Sequence, residues 1–240
     1  MIGERNASLE MVRVVARRLG TLRERVAFLG GAVIPLHITD PGSPHPRATR
    51  DVDGIVAIIT RAEYYKLEEA LRQLGFKQAV DKEHPMCRWS IEDVIVDIMP
   101  TDVKVLGFSN RWYPEAIQYA KTLKVDEDIE IRLVTAPYFL ATKIEAFIGR
   151  GRRDYQCSHD IEDIITVIDG RPELIGEINA SPPELKDYIC EKFNSFLKDD
   201  DFLVSVSGHM PPDSANQTRT PIVLDRINVL AGRNRTANAT

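Results

Sequence analysis

Asp51-Val-Asp-Gly-Ile-Val-Ala-Ile-Ile59 is the stretch on which the reading of the fold turns. Its last five residues include four β-branched side chains, and a loop with three prolines and a glycine (39–50) precedes it, so it predicts a buried strand. The strand opens on two aspartates. Side chains two apart on a strand share a face, so Asp51 and Asp53 are expected to project together from a buried sheet. Carboxylates so placed repel each other, and burial raises the cost of both charges. A divalent cation relieves both problems, and hard carboxylate oxygens suit Mg²⁺ holding a triphosphate. Two further Asp-x-Asp triplets, Asp126/Asp128 in an acidic turn and Asp199/Asp201 in a run of aspartates after a helix, read as solvated surface.

Downstream, Met86 to Ile91 and Asp93 to Met99 predict a β-hairpin turning near Glu92-Asp93. Asp97 lies within its second strand, flanked by apolar residues, an unusual place for a charge without a partner. Two carboxylates on one strand and a third on a neighbour form the ligand set of two-metal phosphoryl chemistry. Asp102 falls beyond Pro100, in a connecting segment. Upstream, Val26–Leu29 is a short strand leading through Gly30-Gly31 into a helix over Ala32–Ile38. Glycine there lets a phosphate approach the backbone, and the helix start offers free N–H groups. The plain alternative is a simple strand-to-helix turn.

The remaining pattern is a helix over 8–19 capped by Ser8, a helix over Arg61–Leu74 stopped by Gly75, and a strand at Glu130–Val134. From Ala136 onward the spacing predicts helices at Pro137–Gly149, His159–Ile168, Glu173–Ile178 and Pro183–Leu197. Beyond Ser207 the chain is polar, and only Pro221–Leu230 reads as a further helix able to pack.

Composition bounds the function. With 240 residues, 43% hydrophobic and 28% charged, the chain is an ordinary globular one of one large or two small domains. The longest uncharged stretch, Val26 to Thr39, is too short to span a bilayer, which needs about 20 apolar residues. No export signal is evident, and three dispersed cysteines (Cys87, Cys157, Cys190) predict a reduced, cytoplasmic setting. The net charge of −5 hides a basic first fifty residues and an acidic stretch over 151–200, so composition neither excludes nor demands a nucleic-acid partner.

Gly-Gly, a variable helix and loop, Asp-x-Asp on a strand and a later strand aspartate resemble the polymerase-beta-like nucleotidyltransferases. Leu140-Ala-Thr-Lys143-Ile-Glu-Ala146-Phe-Ile-Gly-Arg150, followed by His159-Asp160-Ile-Glu-Asp163-Ile, narrows the resemblance to the AbiEii toxin-type nucleotidyltransferases, over roughly Phe28 to Ile168. The resemblance implies an α+β fold, a small mixed sheet flanked by helices with a helical C-terminal part. It divides the chain into a catalytic domain (1–134), a helical domain completing the nucleotide site (135–205) and a polar tail with one packed helix (206–240). It also implies transfer of a nucleotide from a nucleoside triphosphate to a hydroxyl, on RNA such as tRNA or on a protein, in a toxin-like or phage-defence setting. A cognate antitoxin protein is then a partner, and a membrane is not. Two Mg²⁺ (or Mn²⁺) ions would be held by Asp51 and Asp53, with Asp97 holding the one at the attacking hydroxyl and helping deprotonate it. Gly30 and Gly31 would cradle phosphates, Lys143 would contact the nucleotide phosphates, and Asp160 would complete the pocket.

Other readings stand beside this one. Lys143 reads as a solvated lysine pairing with Glu145 or Asp163, and Asp160 and Asp163 as acids at a helix N-terminus, favoured by the macrodipole. Arg150, Arg152 and Arg153 read as a solvated basic loop or as contacts to phosphate. His159-Asp160 is a literal His-Asp pair of the kind phosphohydrolases use, yet the other histidines have no suitable spacing. A catalytically degenerate fold that binds nucleotide or regulates is the non-enzymatic alternative, against which three retained strand carboxylates argue.

Overall fold

The computed structural model describes residues 3–78, 85–150 and 154–233. Their contacts divide the chain into two compact units, Met1–Pro35 with Arg47–Thr135, and Leu36–Pro46 with Ala136–Thr240. The fold class is α+β, with a mixed sheet flanked by helices in the first unit and helices alone in the second.

The first unit opens with α1 (Gly3–Leu19), closed by Gly20 at a positive φ, and a 3₁₀ turn leads to β1 (Val26–Leu29). Helix α1 starts earlier than the sequence pattern predicts, and Ser8 is a buried residue within it rather than its cap. Another 3₁₀ turn (Gly31–Val33) and α2 (Ile34–His37) follow. Then come β2 (Asp51–Val56), α3 (Arg61–Gln73), β3 (Lys77–Gln78), β4 (Arg88–Ile91) and β5 (Val94–Pro100). The unit finishes with α4 (Val103–Leu106), α5 (Tyr113–Gln118), β6 (Lys121–Asp126) and β7 (Ile129–Leu133).

The seven strands form one sheet in the order β3-β4-β5-β2-β1-β7-β6. Strand β2 is central, parallel to β5 on one side and antiparallel to β1 on the other. It ends at Val56, short of the predicted Ile59. There the Ile58 N–H turns back to the Val56 carbonyl at 2.8 Å, and Thr60 caps α3 with Glu63 in a reciprocal capping box. Strand β6 has no apolar stripe to announce it, because it is an edge strand with a single buried residue, Val125. Helix α1 packs its buried Val12, Val15, Ala16 and Leu19 side toward β2, β5, β6 and β7.

The second unit contains α6 (Ala136–Gly149), α7 (His159–Gly170), α8 (Leu174–Asn179), α9 (Pro183–Phe196), α10 (Asp200–Gly208), α11 (Ser214–Gln217) and α12 (Thr220–Leu230). Asp199, read above as solvated surface, caps α10 through the Asp201 N–H. Phe147, Tyr155, Phe196 and Phe202 form an aromatic cluster with ring centroids 5.0–5.8 Å apart. The C-terminal helix is bound in as well: Val223, Ile227 and Leu230 are buried, and Arg219 joins the Asp169 and Asp40 carboxylates at 2.9 and 2.6 Å. Thr39 and Asp40 donate backbone N–H groups to the Gly170 carbonyl, and Thr39 Oγ1 donates to Glu173, which ties segment 36–46 to the end of α7. Among the described residues no helix is long and apolar enough to cross a membrane.

His37 belongs to this second unit and is buried against the Phe139 ring at 5.0 Å. Its Nε2 has no hydrogen-bond partner among the described residues. Burial, assisted by the nearby Arg171 cation, lowers its pKa from 6.5 to about 3. The unfolded chain therefore takes up a proton at this residue before the folded chain does. The contribution of His37 to stability is present above pH 6.5 and is expected to be lost progressively as the pH drops from there toward 3. In His37→Phe this component vanishes, so denaturation midpoints measured between pH 7 and 4 should fall less steeply than in the wild type.

Candidate metal and phosphate site

The first unit gathers its chemistry at one row of the sheet. Asp53 and Asp97 are register partners in the parallel β2/β5 pair, and Arg88 is the register partner of Asp97 in the antiparallel β4/β5 pair. Directly opposed residues place their side chains on one face, so Arg88, Asp97 and Asp53 line up across three strands, with Asp51 two residues along. One carboxylate oxygen from each of Asp51, Asp53 and Asp97 lies within 4.8 Å of the others. Among the described residues no other group of three His, Cys, Asp or Glu side chains is drawn together in this way.

The turn after β1 is shaped by the same row. Gly30 has φ +79°, and a Cβ built on it would stand 1.8 Å from Asp53 Oδ2. The space a side chain would fill is thus taken by the aspartate, which explains glycine here independently of any phosphate. Gly31 is different, since its Cβ would meet Thr49 and Arg47 at 3.4 Å, an ordinary contact distance. Thr49 Oγ1 donates to Asp51 Oδ1 at 2.6 Å and orients that carboxylate.

Asp97 accepts a two-pronged contact, from Arg88 Nε to Oδ1 at 2.9 Å and from Nη2 to Oδ2 at 2.6 Å. These hydrogen bonds raise the guanidinium pKa further above its ordinary value, so Arg88 is a permanent cation. Cys87, next to it, is a buried free thiol pushed up to about 12 by burial and then by the Asp97 charge. Burial thus favours its protonated form. Asp102 plays a separate part, capping α4 through the Lys104 N–H at 2.8 Å.

Sequence reading missed Arg88 and Thr49. The signal for Arg88 was present: with a turn at Glu92-Asp93, counting back pairs Ile91 with Val94 and then Arg88 with Asp97, as observed. Thr49 had no such signal, because its approach to Asp51 depends on the course of an irregular loop.

The donor set fits an oxygen-seeking divalent cation, because three carboxylates converge. Asp51, Asp53 and Asp97 are the residues that would hold it.

In the second unit Lys143 lies between two buried carboxylates, with Nζ 2.6 Å from Asp163 Oδ2 and 3.3 Å from Asp160 Oδ1. Arg150 also pairs with Asp160. Asp163 is therefore an ion-pair partner in the core and not merely a solvated helix acid. His159 is exposed and faces Glu162 at 3.1 Å, while its neighbour Asp160 is engaged by two cations, an arrangement unlike a metal-binding His-Asp pair. Arg152 and Arg153 lie outside the described residues.

No protein-family model matches the chain, and no curated protein matches its sequence. Several solved structures are similar in course. An antigenic nucleotidyltransferase-like protein from Paracoccidioides brasiliensis is 22% identical, over 84% of this chain and 92% of its own, with a TM-score of 0.46. The antibiotic-resistance factor ANT(2'')-Ia is 12% identical, over 80% and 95%, with a TM-score of 0.46. JHP933 from Helicobacter pylori is 10% identical, over 96% and 93%, with a TM-score of 0.48. All three scores lie below 0.5, so the reading of the site rests on its own geometry.

Two substitutions test these placements. Gly30→Ala should displace Asp53 and cost at least ~1–2 kcal/mol from the positive φ alone, whereas Gly31→Ala should be nearly neutral; thermal melts of the pair check this. Lys143→Ala takes its cation from the buried Asp163, while Asp160 keeps Arg150, and should cost ~3–5 kcal/mol in urea unfolding. Adding Asp163→Asn to it should recover a large part of that loss.

Proposed function

We propose that this chain is a metal-dependent nucleotidyltransferase. An acceptor hydroxyl attacks the α-phosphorus of a nucleoside triphosphate; the new P–O bond forms as the bond to pyrophosphate breaks, and the hydroxyl proton passes to a carboxylate or to water. The single observation that carries this reading is the convergence of Asp51, Asp53 and Asp97 to within 4.8 Å on one sheet face. Fold and solvation give no reason to keep three like charges so close, whereas phosphoryl transfer does. Bound divalent ions, Mg²⁺ or Mn²⁺, supply charge neutralisation at the phosphates and acidify the attacking hydroxyl.

In this reading Asp51, held by Thr49, and Asp53, seated against Gly30, would hold both ions. Asp97 serves the ion at the acceptor hydroxyl. The N–H groups after Gly30 open a 3₁₀ turn and would meet the triphosphate. The roles of Lys143 at the phosphates and of Asp160 in the nucleotide pocket rest on the motif resemblance. So do an RNA acceptor such as tRNA, a cognate antitoxin and a toxin-like or defence role.

One observation favours the degenerate alternative: Arg88 already supplies a cation to both oxygens of Asp97. A single experiment separates the two. Purified protein is incubated with each α-labelled triphosphate, Mg²⁺ and total RNA, and the labelled macromolecule is identified. Label should reach RNA or protein with wild type, and Asp53→Asn should lower the rate at least ~100-fold, or ~2.7 kcal/mol of barrier. Its metal-free melting temperature should stay level or rise, because a repulsion is removed. Triphosphate-dependent thermal stabilisation with no label transferred would decide for the degenerate reading.

A further inference from the structure

We propose that Arg88 is a resident counter-ion for Asp97 with which an incoming divalent cation must compete, so that the chain holds its metal weakly by construction. The proposal rests on the metal-site reading above and adds a residue and a direction to it.

The geometry is fixed by sheet register. Arg88 stands opposite Asp97 on β4, and Asp53 stands opposite Asp97 on the other side, on β2. The guanidinium therefore approaches the carboxylate from the flank away from Asp53. Its fork engages both oxygens, at 2.9 and 2.6 Å, and so uses a lone pair on each. A cation shared among Asp51, Asp53 and Asp97 must draw on the same carboxylate, whose oxygen lies within 4.8 Å of the other two. Two positive charges then bear on one small anion in a partly buried setting, where screening is weaker than in water.

Strand pairing keeps Arg88 within a side chain's length of the site even when the fork opens. A phosphate is the ligand best suited to receive the released guanidinium, since it offers the same paired oxygens. Metal and triphosphate would then favour each other's binding, because the second supplies a place for the charge that the first displaces.

Mn²⁺ binding to the full-length protein, followed by calorimetry or by the spin signal of the free ion, tests this without reference to turnover. Arg88→Gln should bind Mn²⁺ ~10-fold or more tightly than wild type, and its metal-free melting temperature should fall. Unchanged or weaker Mn²⁺ binding in Arg88→Gln would overturn the proposal, because Arg88 would then assist the site or be indifferent to it. If Arg88→Gln fails to fold, Arg88→Lys decides, since one ammonium cannot engage both oxygens: tighter binding than wild type supports competition, and equal or weaker binding rejects it. Asp53→Asn in the same assay separates the two levels. If it binds Mn²⁺ as wild type does, the metal site itself is misassigned, whatever the Arg88 variants show.

Discussion

Crowding of like charge is the constraint around which the first unit is arranged. Asp51, Asp53 and Asp97 share one face because β2 and β5 are parallel neighbours in a register that sets Asp53 beside Asp97. Parallel neighbours need a long crossover, and residues 57–93 provide it, with α3 first and β3 and β4 after it. Strand β1 is followed by a residue without a Cβ, Gly30, because Asp53 occupies that space. Strand β4 must present an arginine opposite Asp97, or the carboxylates would face one another without a fixed cation on that flank. The favourable energy comes from elsewhere on the same strands: Val52, Ile55, Val96 and Ile98 are all buried. Each contributes on the order of 1.5–3 kcal/mol, enough to hold an unfavourable charge row in place.

The helical unit treats charge differently. Its buried carboxylates are matched by cations from other segments: Asp160 and Asp163 by Lys143 of α6, and Asp169 by Arg219, which precedes α12. Such pairs add little net stability over an apolar core, but losing one partner is costly, so they specify which helices meet. Arg219 shows this best, because it joins α7 to segment 36–46 through Asp169 and Asp40. Arg226 adds hydrogen bonds to the Ile168 and Asp169 carbonyls, which satisfies part of the α7 C-terminus. A polar C-terminal stretch thereby becomes a packed element.

The contrast between the units bears on function. In the helical unit the buried Asp160, Asp163 and Asp169 each have a cationic partner among the described residues. In the first unit three carboxylates instead converge to within 4.8 Å of one another, a donor set suited to a divalent cation. Its three donors are all carboxylates, which gives the site a hard-oxygen character.

The carboxylate row was legible in the sequence because strand geometry is periodic. Alternation placed Asp51 and Asp53 together, apolar flanks marked Asp97 as interior, and the Glu92-Asp93 turn contained the register that pairs Arg88 with Asp97. The helices from Ala136 to Leu197 were legible from their apolar spacing. Hidden features were those whose partners lie far along the chain or whose side chains face solvent. Strand β6 carries no apolar stripe because it is an edge. Asp199 looked like surface because a cap and a solvated acid have the same composition. The depth of Asp163 and the hold of Arg219 on Asp169 and Asp40 depend on helix-to-helix packing, across as many as 179 positions for Arg219 and Asp40. Local periodicity determines which face a residue is on; what that face meets is decided only when distant segments pack, because the free energy of a buried charge depends on the partner it finds there.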